Sequence, residues 1–257
     1  MFAIYRKEIR SYFINPIGYI YLGVFLVFSA LLCCYTTLIA GSYDTSSYFT
    51  FLIVAFIILI PILTMRLFAE ERKMRTEQLL LTAPVTITGM VLGKYFAALT
   101  VFVGGVLASC INFLPLYIIA AAEKSDANHV TSTQFGPVTG EIIGSLIAVI
   151  LLGAALIAVG TLISALTENQ LSAAVITIGV IAVMVLMSLF TSLKDADGQP
   201  LIGSYVIRNV ISWISVLARF SNFSNGIFDY AALLYYASLA FIFLFLTVRV
   251  YEKRRWG

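Results

Sequence analysis

The run TSSYFTFLIVAFIILIPILTM, residues 45–65, contains no charged residue. An α-helix rises about 1.5 Å per residue, so about 20 residues of this kind cross a hydrocarbon core roughly 30 Å thick. The whole chain has 257 residues, of which 61% are hydrophobic and 11% are charged. A soluble domain of this length could not bury so much apolar surface, and the composition therefore indicates that lipid is the solvent.

Charge-free runs of this kind recur along the chain, and each predicts the same element. None of them alternates in polarity as the strands of a membrane barrel do. In lipid a helix satisfies its own backbone hydrogen bonds, so we expect an all-α, polytopic membrane protein with a single domain over residues 1–257. The six predicted transmembrane helices cover residues 17–39, 45–65, 95–122, 142–167, 169–193 and 230–248.

Lysine and arginine residues are concentrated on one side of this arrangement. Twelve of the 16 fall within residues 1–14, within residues 66–94 or after residue 248. Such an excess is typical of cytoplasmic segments, and it predicts that both termini are cytoplasmic. The formal charge of +3 arises largely from basic residues beside the ends of the spans. Membrane lipid with anionic headgroups, and not nucleic acid, is therefore the predicted partner of this charge.

Two segments outside the spans are amphipathic. Residues 1–14 place aromatic and aliphatic side chains on one helical face, and this pattern predicts an interfacial helix, although a charge cluster that only sets topology is an alternative. Residues 194–229 predict an outer amphipathic helix that is too short to span, either as a surface cap or as a gate for substrate. The residues that mark the two helices are Tyr5, Arg6, Lys7 and Arg10 for the first, and Arg208, Trp213 and Arg219 for the second.

The sequence offers no arrangement of residues suited to metal binding or catalysis. His129 is the only histidine and has no second histidine or cysteine ligand near it. The three cysteines fall within predicted spans, where they serve as small apolar residues. No paired acids or nucleophile with a base face one side of the membrane. We therefore predict no catalytic, metal-binding or cofactor-binding residues, and we predict that the chain is not an enzyme.

Residues 66–94 form the most charged segment between two spans. Charged residues continue to Glu77, three leucines follow, and the sequence Thr82-Ala83-Pro84 then breaks the helix. Thr86 can cap a second helix that enters the third span. The pattern predicts a cytoplasmic helical hairpin, and its mixture of charges and leucines suits docking to another protein.

Three stretches carry a resemblance to a known family. Residues 71–95 follow the pattern E-R-K-x-x-T-E-x-L-L-L-T-A-P-V-T-x-x-x-x-V-L-G-K-Y, residues 5–19 read YRKEIRSYFINPIGY, and residues 162–170 read LISALTENQ. These stretches resemble the loop between spans two and three, the N-terminal helix, and the turn between spans four and five of ABC-2 type permeases. Together they are most similar to the permease subfamily of the bacterial gliding-motility transporter.

The resemblance implies a permease subunit of an ATP-binding cassette exporter in a bacterial inner membrane. Two permease chains, identical or related, would pair above cytoplasmic ABC ATPase subunits that bind ATP and magnesium. The hairpin after span two would contact the ATPase, with a lesser contact from the turn between spans four and five. Carried over by position, the ATPase-coupling residues are Glu71, Arg72, Thr76, Glu77, Leu79, Leu80, Pro84, Glu168 and Asn169.

The sequence lacks a nucleotide-binding motif of its own. Residues 89–95 have one residue too few between Gly89 and Gly93 for a phosphate loop, and Tyr95 stands where a serine or threonine would bind magnesium. We therefore interpret the two glycines as helix packing positions and expect the ATPase to be a separate polypeptide.

Two functions remain open at this point. The chain could be a transport permease, or it could be a non-transporting membrane component of an ATPase-driven envelope or motility machine. The spans contain no charge cluster, which favours an amphipathic cargo such as a peptide, lipid or drug over an ion. The pattern does not identify the cargo, the direction of transport or the second chain of a dimer.

Overall fold

The computed structural model describes residues 1–78, 85–126, 136–192, 219–220, 222–223 and 229–256. All regular secondary structure in these ranges is helical. A π-helical segment, Cys34–Ile39, continues the second helix, and a 3-10 segment, Cys110–Phe113, follows the fifth. The α-helices are α1 Phe2–Ile14, α2 Pro16–Cys33, α3 Ser46–Thr64, α4 Ala69–Lys73, α5 Ile87–Ser109, α6 Leu114–Asp126, α7 Thr139–Leu166, α8 Gln170–Ser192 and α9 Tyr230–Trp256.

Six helical segments among the described residues are long and apolar enough to cross a membrane. The predicted all-α class with six spans is therefore confirmed. The largest differences from the predicted bounds are at the second span, which continues to Lys73, at the third, which begins at Ile87, and at the sixth, which continues to Arg255. In each of the three, the helical segment extends past the charge-free run into residues that include charged side chains. The six segments are Pro16–Ile39, Ser46–Lys73, Ile87–Ala122, Thr139–Leu166, Gln170–Met187 and Tyr230–Arg255.

Helix α7 lies at the centre of the bundle and packs against α3, α5, α8 and α9. Small residues allow this close packing. A Cβ atom added at Gly153 would collide with the buried ring of Phe102 on α5, and one added at Gly160 would collide with Thr64 on α3. The backbone of α7 thus approaches two neighbouring spans at positions where only glycine fits.

Helix α1 lies against α5 and α2. A Cβ added at Gly93 would be 3.2 Å from the carbonyl oxygen of Met1 and 3.3 Å from the Cβ of Ile4, which confirms Gly93 as a packing position. Tyr12 is buried and donates to the carbonyl oxygen of Leu63 at 2.9 Å. Burial raises the pKa of Tyr12, so the phenol stays protonated and keeps this bond. The helix predicted over residues 1–14 is thus anchored to the bundle through its inner face.

The charged residues that mark α1 lie mostly on its outer face. Arg6, Lys7 and Arg10 are exposed, while the hydroxyl groups of Tyr5 and Thr100 form a hydrogen bond of 3.1 Å. The placement of this helix at the membrane interface stays a prediction.

The outer segment over residues 194–229 lies almost wholly outside the described residues, and this includes Arg208 and Trp213. Arg219 is described, and its guanidinium carbon is 4.1 Å from the ring centroid of Tyr235 on α9. His129 also lies outside the described residues. The predicted outer amphipathic helix therefore stays a prediction.

Candidate functional site

A cluster of four charged side chains joins α1, α4 and α5 at one end of the bundle. We call Lys7, Glu8, Glu71 and Lys94 the charged joint. The Lys94 ammonium is at its centre, 3.0 Å from Glu8 Oε1 and 2.9 Å from Glu71 Oε1. Lys94 also donates to the carbonyl oxygen of Leu67 at 2.7 Å. Its side chain is only 1% exposed.

The surroundings of Lys94 explain how its charge is tolerated inside the protein. An ammonium group moved out of water costs several kcal/mol unless it is paired and fully hydrogen-bonded. An ammonium has three donors, and two carboxylates and a carbonyl lie within reach of them here. The ring of Phe68 lies 5.2 Å from Nζ and adds a cation–π contact. Lys94 is therefore held by α1, by α4 and by the turn that precedes α4.

Lys7 adds a second cation at the exposed rim of the joint. Its Nζ is 3.3 Å from Glu71 Oε1 and 3.7 Å from Glu8 Oε1. Partial desolvation acts to lower the pKa of Lys7, but the two carboxylates outweigh it and the pKa is raised. Lys7 therefore stays charged throughout the physiological range and keeps α1 attached to α4.

Helix α4 has its orientation fixed by a serine from another span. The backbone N–H groups of Phe68 and Ala69 donate to Ser164 Oγ at 3.1 and 3.2 Å. Phe68 occupies the N-cap position of α4, and its side chain cannot accept a hydrogen bond. Ser164 of α7 supplies the missing cap. Arg66 adds two bonds to Glu70, of 2.7 and 2.8 Å, across the turn between α3 and α4.

Two further arginines attach the segment after span two to the rest of the bundle. Arg72 is 2.8 Å from Glu168 in the turn between α7 and α8, and it also donates to the carbonyl oxygen of Leu166. Arg254, near the end of α9, is 2.9 Å from Glu77 and donates to the carbonyl oxygen of Ala165 at 2.7 Å. The described part of this segment therefore contacts α1, α5, α7 and α9.

One side of the same segment faces outward. Lys73, Met74, Arg75 and Thr76 are exposed, and 68% of Met74 is accessible. Arg75 has a φ of 56°, a left-handed conformation that turns the chain directly after α4. Residues 73–76 thus form a short exposed tip, in which the apolar Met74 lies between the cations Lys73 and Arg75. The ion pairs described above hold the residues on either side of this tip.

Residues 35–251 match the family described as ABC-2 family transporter protein. The match covers well over half of the chain. This chain belongs to the ABC-2 transporter family. No curated protein matches it closely enough to count as a relative. It is thus a multi-pass membrane component of the permease type. Permeases of this family lack an ATPase domain and normally work with a cytoplasmic ABC ATPase. The narrower resemblance to the gliding-motility subfamily stays a prediction.

The predicted coupling residues of this ABC-2 permease fall into two groups. Glu71, Arg72 and Glu77 are only partly exposed and form ion pairs within the chain. Side chains of the second group face outward, and these are Thr76, Asn169 and Glu168, of which Glu168 is also the ion-pair partner of Arg72. Leu79, Leu80 and Pro84 lie outside the described residues. The first group therefore holds the segment to the permease, and the second is accessible to a partner.

Sequence reasoning missed the residues that hold the segment in place. Glu8, Lys94, Ser164 and Arg254 were not among the predicted site residues. Two signals were present: Glu8 is the only acidic residue in the first 14, and Lys94 lies two helical turns inside a helix that begins after the predicted cap Thr86. A lysine at this position of a largely apolar helix needs either an acidic partner or access to water, and Glu8 is an acidic residue on a neighbouring amphipathic segment.

Proposed function

We propose that this permease is the membrane subunit of an ATP-driven exporter and is moved by a separate cytoplasmic ABC ATPase. The ATPase docks on the tip formed by residues 73–76, and ATP and magnesium bind to that partner. Glu168 and Asn169 add the lesser contact from the turn between spans four and five. The predicted contacts Leu79, Leu80 and Pro84 complete the docking surface.

The buried position of Lys94 is the observation that carries this proposal. A displacement of the tip moves α4 directly. Lys94 on α5 couples α4 to α5 and α1, because Glu71 of α4 and Glu8 of α1 both pair with its ammonium group. Arg254 passes the same displacement to α9 through Glu77. A packed and fully paired base moves as one body and does not absorb the displacement as a flexible loop would. The spans then tilt together, and the path opens to the other side.

This mechanism requires that the charged end of the bundle faces the cytoplasm, with both termini there, as the distribution of lysine and arginine predicts. It also requires a second permease chain, of this sequence or a related one, to complete the path. In a bacterium the complex would lie in the inner membrane.

Reconstituted vesicles that contain the permease and its ATPase test the proposal. Arg75→Glu reverses an exposed charge on the tip, and we expect it to lower permease-stimulated ATP hydrolysis and ATP-dependent efflux at least tenfold. The matched control is Arg255→Glu, an exposed cation near the end of α9 that lies outside the tip. Efflux by the purified chain without any ATPase, or equal effects of both variants, would refute the proposal.

A further inference from the structure

A groove opens on the outer surface of the bundle between α5 and α9. Helix α9 packs mainly against α7 and less extensively against α5, and a cavity of about 270 Å³ remains between α5 and the last turns of α9. Its walls are mostly apolar and are formed by Leu92 of α5 and by Phe241, Leu244, Phe245 and Val248 of α9. The rings of Phe241 and Phe245 are stacked one turn apart, and these residues are 71% and 47% exposed. The groove therefore presents accessible aromatic surface along α9.

The groove is polar near the beginning of α5 and the end of α9. Thr88, the second residue of α5, lines this part together with Arg249 and Glu252 of α9. Arg249 Nη1 lies 2.7 Å from Glu252 Oε2, and the guanidinium carbon of Arg249 is 4.9 Å from the ring centroid of Phe245. The side chain of Arg249 is 62% exposed. An accessible ion pair thus lies directly beside the apolar walls.

The polarity of the groove changes where the predicted sixth span ends. The apolar lining residues of α9 fall within the charge-free run 230–248, and Arg249 is the first charged residue after that run. An arginine at the end of a span reaches the headgroup layer, while the apolar residues before it face hydrocarbon. On this placement the groove extends from the headgroup layer into the hydrocarbon layer, as a phospholipid molecule does.

The ion pair favours one class of headgroup. A guanidinium has five N–H donors and a carboxylate about four acceptor sites, so the bond between Arg249 and Glu252 leaves each group able to bind a second partner. A guanidinium matches the oxygens of a phosphate, and a carboxylate accepts strong hydrogen bonds from a protonated amine. A headgroup with negative charge alone would be repelled by Glu252, and a choline headgroup has no N–H group to donate.

We propose that the groove binds a phospholipid whose zwitterionic headgroup carries a primary amine. The phosphate binds Arg249, and the ammonium group donates to Glu252. One acyl chain lies against Leu92, Phe241 and Phe245. The cavity volume suits a narrow extended chain better than a helix of a second permease chain, which is about 10 Å across with its side chains. Such a helix would also remove the ion pair from water, which costs free energy. The site does not depend on the proposed role of the ATPase.

Native mass spectrometry of the purified full chain tests the headgroup. The delipidated protein is incubated with phosphatidylethanolamine, phosphatidylglycerol or phosphatidylcholine of identical acyl chains, and the retained lipid is counted. We expect phosphatidylethanolamine to be retained about fivefold more than either of the other two lipids. Equal retention of the three lipids would overturn the proposal.

Two substitutions assign the headgroup contacts. Arg249→Gln removes the phosphate partner and should lower retention of phosphatidylethanolamine about fivefold, whereas Arg255→Gln, at an exposed cation that does not line the groove, should leave it unchanged. Glu252→Gln removes the negative charge and should abolish the preference for phosphatidylethanolamine over phosphatidylglycerol. An unchanged preference in Glu252→Gln, or equal effects of the two arginine substitutions, would overturn the proposal.

Filling the groove tests the acyl chain and distinguishes a lipid from a second permease chain. Val248→Trp places a large side chain in the groove and should lower retention of phosphatidylethanolamine about fivefold, while Leu246→Trp, at an exposed residue on another face of α9, should not. The same spectra report the oligomeric state. If Val248→Trp left the lipid count unchanged, or dissociated a dimer without loss of lipid, the groove would not be a phospholipid site.

Discussion

At the scale of single residues, the permease depends on a lysine in a position where an isolated charge could not be buried. Lys94 is 1% exposed, and both of its acidic partners are themselves largely buried, with 13% exposure for Glu8 and 16% for Glu71. Removal of one member of a buried charge cluster leaves the others desolvated and unpaired. The three residues therefore act as a unit and depend on one another.

Lys94→Met tests this dependence. The substitution keeps an apolar stem of similar size but leaves Glu8 and Glu71 without their shared cation, and we expect a loss of about 3 kcal/mol in the free energy of unfolding. Thermal unfolding of the purified protein in a lipid-like environment measures the effect. Lys73→Met, at an exposed position, should change stability by less than about 0.5 kcal/mol.

A triple variant gives the sharper comparison. Lys94→Met combined with Glu8→Gln and Glu71→Gln removes the three buried charges of the joint and leaves only Lys7 at its exposed rim, so most of the lost stability should return. If the triple variant were less stable than Lys94→Met alone, the three residues would not form the unit described.

At the scale of elements, two helices derive their positions from residues far away in the sequence. Helix α4 has five residues, too few to be stable alone, and Ser164 from α7 supplies its cap. Helix α9 continues for about two turns beyond the predicted end of span six at residue 248. Its last turns lie against the residue that precedes α4, where the ring centroids of Tyr251 and Phe68 are 4.9 Å apart.

Arg254→Gln should release the link between α9 and the segment after span two. The glutamine cannot form the ion pair with Glu77, so we expect amide hydrogen exchange to increase in residues 71–78 while the spans keep their protection. Arg255→Gln, an exposed neighbour, is the control. Unchanged exchange in residues 71–78 of the Arg254 variant would show that the ion pair does not restrain this segment.

The elements differ in how far the sequence predicts them. Long apolar runs define the six spans because lipid admits only long apolar helices, and the structure confirms them. Helix α5 begins directly after Thr86, the residue predicted as its cap, but the Thr86 side chain makes no capping hydrogen bond. The charged joint could not be read from the sequence, because Glu8, Glu71 and Lys94 are far apart along the chain and meet only through tertiary packing. For the same reason Glu71 and Glu77 looked like free docking residues although they are paired within the chain.

At the scale of the whole molecule, the bundle is organised around α7, with the charged joint at one end and the π-helical and 3-10 segments at the other. Large apolar side chains remain exposed on the outer faces of α2, α8 and α9, where lipid or a second permease chain would cover them. Helix α7 packs closely against α3 at Gly160 and against α5 at Gly153, so the three helices form one packed unit between the two ends of the bundle.

Gly153→Ala tests whether that packed body is required. The new methyl group would meet the ring of Phe102, which is fully buried and lies 5.2 Å from the ring centroid of Phe56, so the ring has little room to move. We expect a loss of about 1–3 kcal/mol in stability. Gly179→Ala on α8 places its methyl group in open space and should be neutral or slightly stabilising. Equal stability of the two variants would contradict the proposed packing.

The central claim is that the ATPase pushes on the tip at residues 73–76, and cross-linking tests it most directly. A photoreactive amino acid is placed at Met74 or, as control, at Tyr35 at the opposite end of the bundle, each 68% exposed. We predict that the protein with the label at Met74 forms a covalent adduct with the ABC ATPase subunit and that the protein with the label at Tyr35 does not. An ATPase adduct at Tyr35, or none at Met74 in an assembled and active complex, would contradict the account.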